Sequence, residues 1–478
     1  MRPCPAKNNK NREDRKGRFD MKKFDAVIIG FGKGGKTLAG KLAGEGKAVA
    51  LIEKSDKMYG GTCINVGCIP SKSLVRSSQI TESKGEISFE EKAELYRTAI
   101  EEKRRVTSML RKKNFDKLDH LETVTIYNGT ASFLSNTQVN VVPADGSEEF
   151  TIEGDQIFIN TGSTPFVPPI EGIEGNPQVY LSETFMDLET LPKKLVIIGG
   201  GYIGLEFSSM YSGFGSEVTV IQNEARLIPR EDEDIAAEIQ KVLEEKGVQF
   251  VIGAAISSIR KEGDRSYVHY SADGKEGDLE ADAILVATGR RPNTAGLNLE
   301  AAGVEVTARG GVKVDDAYRT TAPNIWAMGD AAGGLQFTYV SLDDFRIVWS
   351  SLHGGAYDAR AARRSHIPYS VFIEPSFSRV GMNEQEAKKA GLDVKIARLP
   401  ASAIPKAAVL NKTKGVLKAV IDAKTNQILG AMLFCEESYE MINIVKLAMD
   451  LNADYTVLRD QIYTHPTMSE ALNDLFAV

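Results

Sequence analysis

Two glycine-rich turns, each set between an apolar strand and a helix and each followed by a second strand, constrain this chain more than any other feature. In the first, residues 26–29 are a short apolar strand and Gly30-Phe31-Gly32-Lys33-Gly34-Gly35 is the turn. A helical stretch then runs through Leu42 to a second strand at residues 48–52, closed by Glu53. A lone Gly-x-Gly-x-x-Gly is weak evidence, but strand before, helix after and an acid at the right distance describe a βαβ unit that binds a dinucleotide. Gly30 permits the tight turn, Gly32 lets a pyrophosphate approach the backbone, and Gly35 lets helix and strand pack closely. The helix N-terminus supplies donors and a positive dipole, and Glu53 would accept from a ribose hydroxyl.

The pattern returns downstream, with a strand at 194–198, the turn Gly199-Gly200-Gly201-Tyr202-Ile203-Gly204, a helix at 205–211 and a second strand at 217–221. Two such folds imply two dinucleotides. The second unit ends in Gln222 where an NAD site would carry an acid. Gln222 can bond ribose hydroxyls without repelling a 2′-phosphate, and the nearby Arg226 could meet one, so nicotinamide preference stays open.

Between the units lies Gly60-Gly61-Thr62-Cys63-Ile64-Asn65-Val66-Gly67-Cys68-Ile69-Pro70-Ser71-Lys72. A loop this short and flexible can bring the two sulfurs to bonding distance, and Ile69-Pro70-Ser71-Lys72 reads as the first turn of a helix. Helix amides and a nearby lysine would lower a thiol pKa and make the thiolate that disulfide exchange requires. Spacing alone equally allows a structural bridge or two unrelated buried thiols.

At 478 residues and a formal net charge of −7, the chain is too long for one core and points to two to four domains. Its charge carries no nucleic-acid signature, no apolar run approaches the roughly 20 residues of a membrane helix, and nothing near the N-terminus has a signal peptide's core. The expectation is a cytoplasmic enzyme with neither nucleic acid nor membrane as a partner. The four cysteines, Cys4, Cys63, Cys68 and Cys435, are too few for a disulfide-stapled secreted scaffold, so a Cys63–Cys68 bridge would be a working one. Cys435 is isolated and is expected in a core. Residues 1–20 are basic, polar and poor in aliphatics, and read as a disordered extension ahead of Met21.

Residues 83–121 are charged and read as a solvated helix pair with apolar positions at Val106, Leu110 and Leu118. Pro165, Pro168 and Pro169 mark a linker, and residues 324–330 read as a buried strand ending in a glycine and a carboxylate. From about Tyr357, alternating strands and amphipathic helices describe a third domain, whose Met441, Ile444, Val445 and Leu447 are expected to need a partner surface. Of five histidines, His120, His269, His353 and His366 lie in charged or loop contexts and read as solvated. His465 differs, because Glu470 can fix its tautomer and raise its basicity.

Taken in order, the Gly60–Lys72 stretch, the two glycine turns, Ala287-Thr288-Gly289-Arg290-Arg291-Pro292-Asn293, Met328-Gly329-Asp330 and His465-Pro466-Thr467-x-x-Glu470 resemble the pyridine nucleotide-disulfide oxidoreductases. This is the class of glutathione reductase, dihydrolipoamide dehydrogenase and mercuric reductase, and the resemblance covers essentially all of residues 24–478. Gly334-Leu335-Gln336-Phe337-Thr338-Tyr339, Ser341-Leu342-Asp343-Asp344, Ile367-Pro368-Tyr369-Ser370-Val371-Phe372 and Leu472-Asn473-Asp474-Leu475-Phe476 are similar to the family's reactive-chlorine-resistance branch, which reduces cupric ions.

The resemblance implies an α/β chain of two Rossmann-like dinucleotide-binding domains, for FAD and NAD(P), plus a C-terminal α+β dimerisation domain. The FAD domain would comprise 21–168 and 289–356, the NAD(P) domain 169–288 and the dimerisation domain 357–478. FAD would be held by Gly30, Gly32, Gly35, Glu53, Thr62, Ala131, Thr161, Gly162 and Asp330. NADH or NADPH would be held by Gly199, Gly201, Tyr202, Ile203, Gly204, Gln222, Arg226, Gly289 and Arg290. Lys72 would sit by the flavin N5 paired with Glu206, and Tyr202 would cover the nicotinamide pocket. Cys68 would be the charge-transfer thiolate and Cys63 the outer thiol, both serving as transient copper ligands. His465, supported by Glu470, would reach across a homodimer axis to act on the partner's Cys63.

The implied reaction carries electrons from NAD(P)H through flavin and a Cys63–Cys68 redox disulfide to an oxidant or metal ion, Cu(II) above all, in oxidative-stress defence. The ending Asp474-Leu475-Phe476-Ala477-Val478 lacks the cysteine pair usual in mercuric reductases, which argues against mercury. A dihydrolipoamide dehydrogenase or other low-molecular-weight disulfide reductase is the alternative. Intact Cys63, Cys68, Lys72 and His465 disfavour a non-catalytic redox sensor.

Overall fold

Runs such as Val27-Ile28-Ile29 are apolar without alternation because their strands are covered on both faces, the mark of a parallel sheet packed between layers. The computed structural model describes residues 21–355, 357, 364 and 366–478; the expected N-terminal extension, with Cys4, lies outside them. Five strands run parallel in the order Val124–Phe133, Val49–Glu53, Lys22–Ile29, Phe150–Ile159 and Ile325–Ala327. Ile28 aligns with Leu51 on one side and Phe158 on the other. The last strand arrives from far downstream, so the chain leaves this sheet, builds a second unit and returns.

That second unit repeats the plan. Gln249–Ile252, Glu217–Gln222, Lys194–Ile198, Ala283–Val286 and Val179–Leu181 form a five-stranded parallel sheet in that order. Each unit also carries an antiparallel meander ahead of the strand that returns to the sheet centre. In the first, Gln138–Pro143 pairs antiparallel with the later part of Val124–Phe133 and the start of Phe150–Ile159, and in the second Ala255–Glu262, Arg265–Ala272 and Lys275–Ala281 form a separate three-stranded sheet.

Residues 83–121 correct the expected helix pair. Phe89–Asp119 is one helix of 31 residues, started by a Ser88–Glu91 capping box. It continues unbroken because no glycine or proline lies within it, and it is not simply solvated: Tyr96, Ala99, Ile100, Thr107 and Leu118 are buried along one face.

In the third domain, Tyr369–Val371, Phe377–Gly381, Ile428–Phe434, Val416–Asp422 and Val394–Pro400 make an antiparallel sheet. The helix Ser438–Asp450 packs on it, which corrects a second expectation. Met441 and Val445 are wholly buried in this domain's own core, together with Cys435, and Ile444 packs against the same cluster. Only Leu447, on the opposite face of the helix, is left exposed, at 61%. No helix among the described residues is long and apolar enough to cross a membrane.

The third sheet docks on the second unit through buried charge. Lys418, 1% exposed, meets Asp232 at 2.8 Å, Glu384 at 2.7 Å and Asp234 at 3.0 Å. Asp232, itself 1% exposed, also accepts the backbone N–H groups of Glu384 and Gln385. Removing the cation alone leaves a buried carboxylate without its charge partner. Lys418→Ala should therefore cost about 3 kcal/mol or more, read as a lowered midpoint in urea unfolding. An unchanged midpoint would show that the two units do not rely on this contact.

Candidate active site

The first glycine turn is held from below by Asn160, at the end of the central strand. A Cβ on Gly30, whose φ is +103°, would collide with the Asn160 carbonyl, and one on Gly32 would lie 2.5 Å from the Asn160 Oδ1. That oxygen accepts from the Gly35 N–H at 2.9 Å, while Nδ2 donates to the Met328 carbonyl at 2.9 Å. Glu53 accepts the Phe31 N–H at 2.9 Å, and burial pushes its carboxyl up. Asp330 is likewise pushed up by burial and accepts from the Ser163 hydroxyl at 2.6 Å.

Arg290 donates to Ser163 and to Glu183, bracing the junction between the units. Thr161 donates to the Asn293 carbonyl at 2.7 Å. Gly162, at φ +72°, has the Thr62 hydroxyl 3.9 Å from where a Cβ would stand. Ala131 is 5% exposed in the hydrophobic core of this unit, so its side chain is fully engaged there.

In the second unit a Cβ on Gly199 would lie 2.6 Å from the Ala287 carbonyl, whereas nothing lies within 4 Å of one on Gly201. Neither N-cap glycine, Gly32 or Gly201, has a side-chain cap bond, which leaves amide donors at each helix start for an anion, while Ser341 and Asn160 take the Gly34 and Gly35 N–H groups. Open backbone at Gly201 and uncapped helix ends are what two pyrophosphates require, and FAD and a nicotinamide dinucleotide fit these residues. Ile203 lies in the first turn of the second helix, and Gly289, at φ +113°, sits beside the strand end with open space around it.

Gln222 differs from its expected use. It is 6% exposed, its Oε1 accepts the Gly200 N–H at 2.9 Å and its Nε2 points to the Arg226 carbonyl at 3.4 Å. Its amide therefore braces its own turn. Arg226 lies at the surface and donates to the Pro229 carbonyl and to Gln385.

Cys63 lies in the short helix Thr62–Asn65, and Cys68 opens the helix Cys68–Glu82 directly after Gly67. Both are free thiols in hydrogen-bonding contact. The Cys68 thiol donates to Cys63, and this contact outweighs burial; with Thr338 and the charges of Lys36 and Lys72 it brings Cys63 down to about 6. The same contact, together with burial, holds the Cys68 proton well above the usual thiol range. The pair thus carries one negative charge near neutral pH, centred on Cys63, and its order of ionisation belongs to both sulfurs. Helix and lysine, the expected causes, are secondary to the neighbouring thiol. Thr338, at the start of the helix Thr338–Leu352, lies 3.9 Å from the Cys68 sulfur.

Lys72 and Glu206 meet as expected. The Lys72 Nζ lies 2.8 Å from both Glu206 oxygens, and Glu206 also accepts the Phe372 N–H at 2.8 Å. The lysine stands 4.5 Å over the Phe372 ring, so backbone and ring from the third domain fix the pair. His465 Nδ1 lies 2.7 Å from Glu470, whose other oxygen accepts the Thr467 N–H at 3.2 Å. The carboxylate holds the ring, and the side chain is 70% exposed. His269 and His353 pair with surface carboxylates, His120 is exposed, and His366 lies part-buried 3.8 Å from Asp450.

Three residues of this site have no motif to announce them, Asn160, Ser163 and Lys36, while Thr338 stands in the 334–339 segment without a role assigned to it from sequence. Lys36 donates to the Gly60 carbonyl at 3.1 Å, and burial brings it down to about 8.

Residues 24–344 match the pyridine nucleotide-disulphide oxidoreductase family and residues 367–476 its dimerisation domain. The probable pyridine nucleotide-disulfide oxidoreductase RclA of Escherichia coli is 48% identical over 96% of this chain and 100% of its own length. A mercuric reductase of Bacillus cereus is 34% identical over 95% of this chain and 71% of its own. A dihydrolipoyl dehydrogenase of Geobacillus stearothermophilus is 33% identical over 93% and 94%. The HOCl-induced flavoprotein disulfide reductase RclA of Escherichia coli, solved as a Cu(II) complex, superposes with a TM-score of 0.89 at 48% identity, covering 96% of this chain and 99% of that one.

With its thiol brought down to about 6, Cys63 should be alkylated by iodoacetamide in the reduced protein with a half-maximal rate near pH 6. The rate falls below that pH as the thiolate takes up a proton. Lys36→Met removes one of the charges that favour the thiolate and should move the midpoint upward. A midpoint near the ordinary thiol value, about 8.5, would contradict the shared-proton arrangement.

Proposed function

The chain belongs to the pyridine nucleotide-disulfide oxidoreductase family, and from that premise we propose that it is a cupric reductase, passing electrons from NAD(P)H through FAD and the Cys63/Cys68 pair to Cu(II). The carrying observation is the dithiol itself: two sulfurs in contact, one ionised near neutral pH, beside the Lys72–Glu206 pair. Soft thiolates favour Cu(I) over Cu(II) and so bias the ion toward reduction. The Cu(II) complex of the 48% identical RclA supports the same acceptor.

When bound, FAD supplies the two-electron chemistry between nicotinamide and sulfur. The protein's residues do the rest. Gly30, Gly32, Gly35, Glu53 and Asp330 hold the flavin nucleotide, Lys72 places a fixed positive charge beside it, and Gly199 to Gly204 receive the nicotinamide dinucleotide. The electron balance closes simply. NAD(P)H and the Cys63–Cys68 disulfide give NAD(P)⁺ and the reduced pair, one thiolate and one thiol. That pair and two Cu(II) give the disulfide, two Cu(I) and one proton, the S–S bond re-forming as each copper takes one electron. Cys63 meets the acceptor as the thiolate, and the Cys68 proton leaves to a base.

That base is His465 of a second subunit. The side chain is exposed and oriented by Glu470, and the domain carrying it leaves Leu447, Leu451, Val457 and Ile462 exposed, the last at 96%. Such an apolar surface fits a homodimer interface.

Cu(I) formation, followed with a Cu(I)-specific chelator and NADH, should be saturable in the wild type and should collapse in Cys63→Ser and Cys68→Ser proteins that retain FAD. Equal copper reduction in all three, or rapid turnover of dihydrolipoamide or glutathione disulfide with only a trace on copper, would move the assignment to a low-molecular-weight disulfide reductase. Mixing Cys63→Ser with His465→Ala chains should partly restore turnover, because one site of the heterodimer carries both defects and the other neither. Confirmed heterodimers without rescue would show that sites are not shared.

A further inference from the structure

Tyr202, the first residue of the helix that follows the second glycine turn, is tied down by a carboxylate that no water reaches. Its hydroxyl donates to the Glu231 Oε1 at 2.5 Å, and Glu231 is 0% exposed. The Tyr369 hydroxyl donates to the same oxygen, and the Arg379 guanidinium lies 3.3 Å from the other. The two tyrosine rings pack 5.5 Å apart. Tyr202 and Glu231 belong to the nucleotide unit, Tyr369 and Arg379 to the third domain's sheet. The loop presenting Glu231 is itself held firmly. Arg379 also donates to the Arg230 carbonyl at 3.2 Å, and Ile228 sits at φ +36°, a conformation a β-branched residue takes only where its surroundings impose it.

We propose that Glu231 is a positioning residue, a latch that holds Tyr202 across the nicotinamide pocket and so sets how readily NAD(P)H enters; this rests on the reading of Tyr202 as the cover of that pocket. When Tyr202 swings out it surrenders its hydrogen bond to Glu231 and a longer 3.3 Å contact with the Tyr369 hydroxyl. Glu231 keeps the Tyr369 hydroxyl and Arg379, so opening never leaves the buried carboxylate without partners. The closed form competes with the dinucleotide, and the apparent affinity is reduced by the fraction of molecules that are open. Burial and the adjacent Glu231 push both phenols well above the usual tyrosine range, so each remains a donor throughout the neutral pH range. Tyr369 also stacks on Phe337 at 6.0 Å, and Phe337 precedes the Thr338 that touches Cys68, so the wall against which the cover closes reaches the dithiol.

The test follows anaerobic flavin reduction against NADH concentration in FAD-loaded wild type, Tyr202→Phe, Glu231→Gln and the double variant. Each single variant weakens the same charge-assisted bond and should lower the apparent Kd about tenfold. The limiting reduction rate of Glu231→Gln should stay within about twofold of wild type, a split that general loosening of the fold would not produce. The double variant should match Tyr202→Phe, since both changes act on one contact. An apparent Kd that is unchanged or raised in both singles, or additive effects in the double, would overturn the latch. Should Glu231→Gln fail to fold, Tyr202→Phe decides alone by the same criterion. Wild-type flavin that neither NADH nor NADPH reduces would instead overturn the oxidoreductase reading, and the latch with it.

Discussion

One carboxamide beneath the first glycine turn determines the shape of the site above it. Asn160 accepts from Gly35, donates to Met328, and through its own backbone N–H bonds the Ile29 carbonyl at 2.8 Å. It therefore joins the first strand, the glycine turn and the segment leading to Asp330, elements that are remote in sequence. All of these groups are buried, so losing the side chain would orphan a donor and an acceptor at once. Gly32 and Gly35 are glycines partly because Asn160 stands where their side chains would be. A pyrophosphate cradle is usually argued from the ligand's side; here the turn is equally shaped from below.

The second unit reaches the same backbone path with different chemistry. Gln222 accepts the Gly200 N–H as Glu53 accepts the Phe31 N–H, each at 2.9 Å, so the side chain closing the second strand steadies the turn in both units. An amide does this as well as an acid. The glutamine is consumed by the turn, and Arg226 in turn donates to the Pro229 carbonyl and to Gln385. The loop after it, from Arg230 to Asp232, then turns two carboxylates into the third domain, Glu231 to Arg379 and Asp232 to Lys418. Nucleotide site and third domain are thus locked by adjacent residues of one loop, and excellent pairing offsets the desolvation of those charges.

What was legible in the sequence is what local spacing controls. Strand, glycine turn and helix succeed one another within about thirty residues, so both nucleotide units could be read directly, and so could the helix beginning at Cys68. The Lys72–Glu206 and His465–Glu470 contacts followed from motifs whose order is distinctive. Asn160, Ser163 and Glu231 were invisible because each works through partners distant in sequence and none sits in a spaced pattern. From sequence the long helix reads as a pair because its exposed faces are so charged that the buried stripe through Tyr96 and Ile100 hardly shows. Met441 and Val445 read as partner-facing because amphipathicity reports that a face is covered without reporting by what.

The dithiol's proton arrangement bears on which acceptors it can serve. With Cys63 ionised by the hydrogen bond from Cys68, the pair holds a single proton near neutral pH. Reducing a disulfide consumes protons, since the departing thiolate must be capped, whereas reducing two metal ions releases the remaining one. A histidine held by Glu470 in a fixed orientation can give the proton in the first case and take it in the second, because an imidazole has one nitrogen that can carry a proton and another that can bind the orienting carboxylate. The same side chains therefore suit relatives that reduce disulfides and relatives that handle metals. Discrimination among acceptors then rests on what surrounds the sulfurs: the Phe337 and Tyr339 rings, stacked 5.2 Å apart, flank the Thr338 that touches Cys68. Tyr339 is 45% exposed and Leu335 46%, so apolar groups stand exposed along the segment that reaches Cys68. A bare ion and the one charge it meets at Cys63 need little more of the protein than this, while a bulky disulfide would have to find its contacts on that segment and on the partner subunit.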